Sequence, residues 1–365
     1  MIRELQTEYQ PTSVSPPGNS LLDTLDALGM SQAELAGRSG LAQKTVNLII
    51  NGKAPITEGT ALALERVLGT PGRFWLARES KYREHLARRE EDVLNQRHAD
   101  WARRFPYKQM ADLGWVEPVS NAGGKAWHLL RFFGVSNQDC WRKMWATPQA
   151  VFRQSARAGK KPEIVSAWLR RGELKAQENN VAAFDERAFQ EVIHLLRALT
   201  NEPDPNVFMR EISERCAGAG VRFLLVRELP SLGVYGATRW LAGAPVIQQS
   251  LLLKTHDHFW FTFFHEAKHV LQKVKKRIFI EGDKLAQQDV KREEEANRFA
   301  AELLLPAALY KPFVEQGDFS ARAIRALAKS VDIHPGIVVG RLQREQHIGY
   351  GGPAGRLTIR FKWSA

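Results

Sequence analysis

The strongest constraint on this chain is the stretch FFHEAKHVLQK at residues 263–273, which holds His265, Glu266 and His269 in the pattern His-Glu-x-x-His. Two imidazoles four residues apart face one ion only on an α-helix, where residues i and i+4 share a face. Glu266 is then rotated about 100° from His265, placed to hold a water bound to that ion. Trp260, Phe261, Phe264, Ala267 and Leu271 give the same stretch an apolar surface, which demands a buried helix inside a larger fold.

A catalytic zinc ion takes three protein ligands and keeps a fourth position for water. The third ligand is sought in the next helical run, KREEEANRFAAELLLP, which carries three consecutive glutamates. Its apolar side is formed by Ala296, Phe299, Ala300, Leu303 and Leu304. At about 100° per residue, Glu293 lies roughly 50° from the centre of that side and Glu295 roughly 110°, while Glu294 points to solvent. Glu293 is therefore the expected ligand, with Asn297 one turn on. His256 and His258 suggest a second metal cluster, but no further carboxylate or cysteine stands at ligand spacing. Thr255 or Asp257 is expected to cap the helix and both histidines to be solvated. The KVKKR run at 273–277 reads as a solvated surface.

The rest of the chain is mostly helical in pattern. After a polar lead-in, apolar residues recur at helical spacing from Leu21, and Gly29 closes that run. SQAELA opens a second helix with Ser31 and Glu34 as a reciprocal capping box. AQKTVNLII forms a third helix ending at Asn51-Gly52, a fourth spans about 57–68, and a long polar-faced helix follows Pro71. Helical patterns continue through residues 105–205 to a break at Asn201–Pro205. Beyond it, residues 221–226, 233–240 and 245–253 read as strands of a small sheet, and LTIRFKW (357–363) as a terminal strand. The expected fold is mostly helical α+β. It has an all-α helix-turn-helix domain over 1–80, a helical linker and middle region over 81–205, and a C-terminal domain over 206–365 whose sheet packs on the metal-binding helices.

The tandem SQAELAGRSGLAQKTVNLIINGK has the form of a helix-turn-helix: two short helices across a glycine-containing turn, the second polar at its start. Gln43 and Asn47 share a face opposite Val46, Ile49 and Ile50. They suit adenine edges, and Lys44 suits guanine or phosphate, with Thr45 beside them. Gln32 and Lys53 are placed for phosphates. The net charge of +12 does not argue for this: residues 1–80 carry 7 basic against 8 acidic residues, and most of the surplus, +8, sits in 206–365. No apolar run approaches a membrane span, and Cys140 and Cys216 make no disulfide framework, so the expected compartment is a reducing cytoplasm.

Residues 16–80 closely resemble the Cro/C1-type (XRE) domain of HigA-like antitoxins, from PPGNSLLDTLDALGMSQAELAGRSGLAQKTV through to GTPGRFWL. That resemblance implies a palindromic double-stranded operator, bound as a homodimer. From about residue 125 to the end the chain resembles ImmA/IrrE zincin-like metallopeptidases. The motif residues are His265, Glu266 and His269, then Glu293, Ala296, Asn297, Phe299, Ala300 and Pro306. Carried over by position, the resemblance implies that His265, His269 and Glu293 ligate Zn2+ and that Glu266 is the general base. Asn297 would orient the second helix or a ligand. Such proteins commonly have glycine before the second histidine; here it is Lys268, a long cation that would narrow access or raise the local positive potential.

Two functions are consistent with these residues. One is a cytoplasmic, antitoxin-like DNA-binding regulator carrying a zinc endopeptidase that cleaves a specific regulatory protein: a repressor, a toxin partner or its own linker. Its substrate strand is expected to add to the sheet edge at 233–240. The other is a non-catalytic antitoxin or autorepressor whose C-terminal half is a zinc-stabilised, partner-binding domain. Glu266 distinguishes them, since a purely structural zinc site has no use for a water-activating carboxylate.

Overall fold

A computed structural model describes residues 14–146, 161–178, 180–273, 279–280 and 287–363. The chain forms two compact units that divide between His98 and Ala99.

The first unit is all helical: α1 (Pro17–Ala27), α2 (Gln32–Ser39), α3 (Gln43–Ile50), α4 (Glu58–Leu68) and α5 (Gly72–Arg97). Its core is small and aliphatic around one large ring, with Leu21, Leu35, Val46, Ile49, Leu64 and Trp75 all fully buried. Gly18 is required for this packing, because a Cβ there would stand 2.3 Å from the Ile50 carbonyl oxygen. Gly40 ends α2 at φ 72°, a left-handed conformation that sets the turn into α3. Half of the expected capping box forms: Ser31 Oγ accepts from the Glu34 amide at 3.2 Å. The Glu34 carboxylate turns instead to Arg38, 2.5 Å away, where a full ionic partner one turn on replaces a neutral amide. The expected boundary at residue 80 falls inside α5, which runs unbroken to Arg97. Buried Glu79 ties α5 to the end of the helix-turn-helix, accepting from the Ile56 amide at 3.1 Å and from Arg83 Nε at 2.6 Å.

The second unit is a four-stranded sheet between two helical layers. Among the described residues, its helices before the sheet are α6 (Ala99–Ala102), α7 (Tyr107–Asp112), α8 (Ala122–Phe133), α9 (Gln138–Ala146), α10 (Pro162–Glu178), α11 (Glu186–Arg197) and α12 (Pro205–Gly218). The break at Asn201–Pro205 is a 3-10 turn and a loop within this unit, followed by Pro205 as the first residue of α12. The strands are β1 (Arg222–Leu225), β2 (Gly236–Leu241), β3 (Ala244–Gln249) and β4 (Phe279–Ile280), in the order β1-β3-β2-β4. β1 and β3 are parallel; β2 is antiparallel to both β3 and β4. Ala242 and Gly243, both at positive φ, form the two-residue turn that joins β2 to β3.

Alternation along the strands assigns the two faces. Leu224, Ala237 and Val246 join an aromatic cluster with Trp101, Phe133 and Trp168. Phe223 and Ile247 face the larger core, with Phe208, Trp260, Phe263, Leu304 and Val338. That core is built on α13 (His256–Leu271), α14 (Gln287–Leu304), α15 (Ala307–Gln316), α16 (Ala321–Ser330) and α17 (Pro335–Arg344). Buried Arg239 pins β2 beneath α10 through the Leu169 carbonyl and Gln248 Oε1. Burial pushes its guanidinium down to about 10, against the pull of Glu173.

Two strand expectations are corrected. Residues 250–253 leave the ladder after Gln249. LTIRFKW is not a strand: its contribution is one antiparallel bridge, Arg360 to Thr255, with the His256 amide donating to the Ile359 carbonyl and the Phe361 amide to the Lys254 carbonyl. Phe361 is buried in the larger core, so this segment clasps the start of α13 rather than extending the sheet.

Candidate metal centre and DNA-facing helix

α13 is buried nearly all round, which polar residues tolerate only with fixed partners. His265 and His269, both about 1% exposed, bring their Nε2 atoms within 3.1 Å of each other. Glu293 reaches across from α14, with Oε2 3.2 Å from His265 Nε2 and Oε1 3.1 Å from His269 Nε2. Donor atoms at 2.0–2.1 Å from a tetrahedral zinc stand about 3.3 Å apart, so these separations fit one ion. Burial alone would raise the Glu293 carboxyl, but hydrogen bonds from both histidines, aided by their charge, outweigh it and hold it near 2. The third donor is thus a carboxylate across the ordinary pH range. No other group of three potential ligands converges among the described residues.

The far sides of the imidazoles are held as well. His265 Nδ1 is 3.1 Å from Asn297 Oδ1, and His269 Nδ1 is 2.8 Å from Gln272 Oε1. An amide oxygen at Nδ1 calls for the N–H there, so Nε2, which faces Glu293, is the nitrogen whose proton an ion would replace. Gln272 is itself fixed, donating to the Arg292 carbonyl and to Glu295 Oε2, both at 3.1 Å. The sequence reading passed over Gln272, although its place three residues after His269, at the C-cap of α13, was a usable signal. Glu295 is thereby turned away from the ligand cluster, and Glu294 is exposed.

Glu266 is fully buried and packs on β2. Thr238 Oγ1 donates to its Oε2 at 2.6 Å and lies 3.0 Å from its backbone oxygen. At Gly236 a Cβ would stand 2.5 Å from Glu266 Oε1, so only glycine leaves the carboxylate its place. Neither β2 contact could be anticipated from local pattern. Lys268 does not point into the ligand cluster: its ammonium lies over the Phe299 ring, 5.5 Å from the centroid, and links α13 to α14. Arg344 lies 4.4 Å over Phe261, whose ring neighbours His265 at 6.3 Å.

Three further expectations change. His256 is not solvated but completely buried, its Nε2 accepting from Trp260 Nε1 at 3.0 Å and its ring set edge-on to His334 at 4.9 Å. Burial, then the nearby His334, pushes His256 down to about 3, against a hydrogen bond at Thr200 that raises it. Thr255 holds the N-cap position without a side-chain cap bond. His258 is half-buried, with Nδ1 3.3 Å from Thr262 Oγ1 and its ring 4.4 Å from that of Tyr235. β2 does not offer an open edge at 237–238 either, because Ala237 and Thr238 are already paired with Ile280 and Phe279. Of the KVKKR run, Lys273 pairs with Glu186 at 2.5 Å; 274–277 lie outside the described residues.

In the first unit, Gln43, Lys44, Asn47 and Lys53 are exposed, and Gln32 and Thr45 half-buried. α3 buries Val46 and Ile49 behind them. Asn47 already receives the Asn51 amide, at 2.8 Å on its carbonyl and 3.2 Å on Oδ1.

Comparison with known proteins agrees with both halves. Residues 22–75 match the helix-turn-helix family model, and residues 239–342 match that of the IrrE N-terminal-like domain, a peptidase family. The chain therefore carries an N-terminal helix-turn-helix DNA-binding domain and a C-terminal domain of a metallopeptidase family. Over about a quarter of its length it is similar to two solved antidote proteins. One is an antidote protein of a plasmid maintenance system from Nostoc punctiforme, 28% identical over 24% of this chain and 94% of that one, with a TM-score of 0.23. The other is an addiction module antidote protein of a HigA family from Coxiella burnetii, 31% identical over 23% of this chain and 91% of that one, with a TM-score of 0.22. No curated protein matches the chain. No helix among the described residues is long and apolar enough to cross a membrane.

Proposed function

We propose that the chain is a DNA-binding regulator whose C-terminal unit is a zinc-dependent endopeptidase acting on a specific regulatory protein. The observation that carries this is the pairing of a three-donor cluster, His265, His269 and Glu293, with a buried carboxylate held in place by β2. When bound, zinc would polarise the scissile carbonyl and lower the pKa of its water. Thr238 holds the Glu266 carboxylate through Oε2, and that carboxylate would take the water's proton and return it to the leaving amine. Asn297 and Gln272 hold the two imidazoles in the ligating tautomer. In the first unit, Gln43 and Asn47 read base edges of a palindromic operator, with Lys44 and Thr45 beside them and Gln32 and Lys53 on the phosphates; two copies bind the two half-sites.

A second reading follows the resemblance of residues 16–80 to HigA-like antitoxins: an antitoxin or autorepressor whose second unit binds a partner without turnover. The two readings separate on Glu266→Gln. Purified wild type and variant are incubated with the proteins encoded beside the gene. The peptidase reading expects equal zinc content in both and cleavage only by the wild type, at least about 100-fold faster than by the variant. Bound zinc with no cleavage of any neighbour supports the second reading.

A further inference from the structure

α5 extends well past the helix-turn-helix, and its last turns carry an apolar stripe that begins at half-buried Leu86 and leaves Val93 and Leu94 exposed. Leu86, Arg89, Glu90, Val93, Leu94 and Arg97 line one open groove. Their spacing (i, i+3, i+4, i+7, i+8, i+11) places them on a single helix face, with Arg89 at its flank. Val93 is 57% exposed and Leu94 49%, on a helix whose first turns bury Trp75 completely.

The charges on this face are arranged differently from those elsewhere on α5. Glu79–Arg83 and Glu84–Arg88 are ion pairs four residues apart, at 2.6 and 2.7 Å. Glu90 and Arg97 are seven apart, about 10.5 Å along the axis, too far to pair with each other. One turn away on this face, each has only Leu86, Val93 or Leu94. Both are exposed and neither has an ion pair among the described residues.

We propose that this face is the seam between two copies of the chain, joined as antiparallel α5 helices about a two-fold axis between Val93 and Leu94. In that register each Val93 meets the partner's Leu94, and each Glu90 meets the partner's Arg97. The acid and base that cannot pair within one helix are thus at the spacing at which two copies satisfy both, flanking an apolar centre. A two-fold interface must be self-complementary, and this stripe is. Three turns per copy make a small contact, below the roughly 1,200 Å² of stable interfaces. The dimer is therefore concentration-dependent in solution and is reinforced when an operator engages both helix-turn-helix units. The inference deepens the operator reading by naming the surface that joins the two copies.

The test is sedimentation equilibrium of the full chain without DNA. The wild type is expected to show a monomer–dimer equilibrium, and Leu94→Glu to be monomeric at the same concentrations. Glu90→Arg and Arg97→Glu should each weaken the dimer about tenfold by placing like charges together. The double exchange Glu90→Arg with Arg97→Glu should restore it. A monomeric wild type at every concentration, or a double exchange no better than the single ones, overturns the seam. A gel shift on DNA from upstream of its own gene, carrying both half-sites, separates the two ideas. An intact dimer that shows no sequence preference for that DNA sinks the operator reading alone, and sequence-specific binding by a chain that stays monomeric in solution at every concentration sinks the seam alone.

Discussion

α3 and α13 each present polar side chains at helical spacing, and they hold them in opposite ways. On α3, Gln43, Lys44 and Asn47 stand in solvent, and only Asn47 is engaged by a neighbour. On α13, His265, Glu266 and His269 are buried, and each is fixed by a side chain from another element or from the next turn. A surface that reads DNA completes its hydrogen bonds only with the ligand, so its residues stay exposed and adjustable. A metal site must have its donors oriented before the ion arrives, because buried polar groups left unpaired cost about 1–3 kcal/mol each. The same residue spacing serves both purposes; burial decides which.

This contrast predicts where substitutions act. In the first unit, Gln43→Ala with Asn47→Ala should remove sequence preference in a competition gel shift, about 1–3 kcal/mol of discrimination per lost pair, while leaving folding unchanged. Unchanged preference would mean that α3 is not the reading helix. In the second unit, Gln272→Leu replaces neither a ligand nor Glu266, yet by removing the contact to His269 Nδ1 it should weaken zinc binding about 10- to 100-fold in a chelator competition. Wild-type affinity would show that His269 does not depend on its Gln272 contact.

The smallest expected effect concerns pH. His256 sits at about 3 in the folded chain against an ordinary 6.5. Below 6.5 the unfolded chain therefore binds a proton that the folded chain does not. Stability falls by about 1.4 kcal/mol per pH unit as the pH drops from 6.5 towards 3, and this loss is absent above 6.5. His334, lowered by burial, adds in the same direction, as does His128, where burial outweighs the opposing pull of Glu117. Denaturant titrations at pH 7 and pH 5 should show a shallower loss for His256→Gln than for the wild type. An equal loss would mean that His256 is not held neutral in the core.

Local pattern made the helices and the faces of α13 and α14 legible. The phase of α14 was enough to single out Glu293 among three adjacent glutamates, since a helix fixes the angle between neighbours. What local pattern could not supply is register across elements. Thr238 and Gly236 meet Glu266 only because β2 packs on α13, and nothing in YGATRW records that pairing. The burial of His256 was hidden for the same reason: its cover comes from His334 and Phe361, both far along the chain. The two-residue β4 is too short to announce itself as a strand, yet it occupies the edge of β2 that looked open. The reverse error came from LTIRFKW, whose β-branched and aromatic residues suit a strand but here serve as a clasp that buries Phe361.

Whether His265, His269 and Glu293 form one preorganised zinc site is decided by titrating zinc into the metal-stripped chain by calorimetry, with Glu293→Ala and Gln43→Ala in parallel. One zinc per chain is expected for the wild type and for Gln43→Ala, with site-specific binding lost in Glu293→Ala. Equal zinc binding by Glu293→Ala, or no stoichiometric binding by the wild type, would contradict that site.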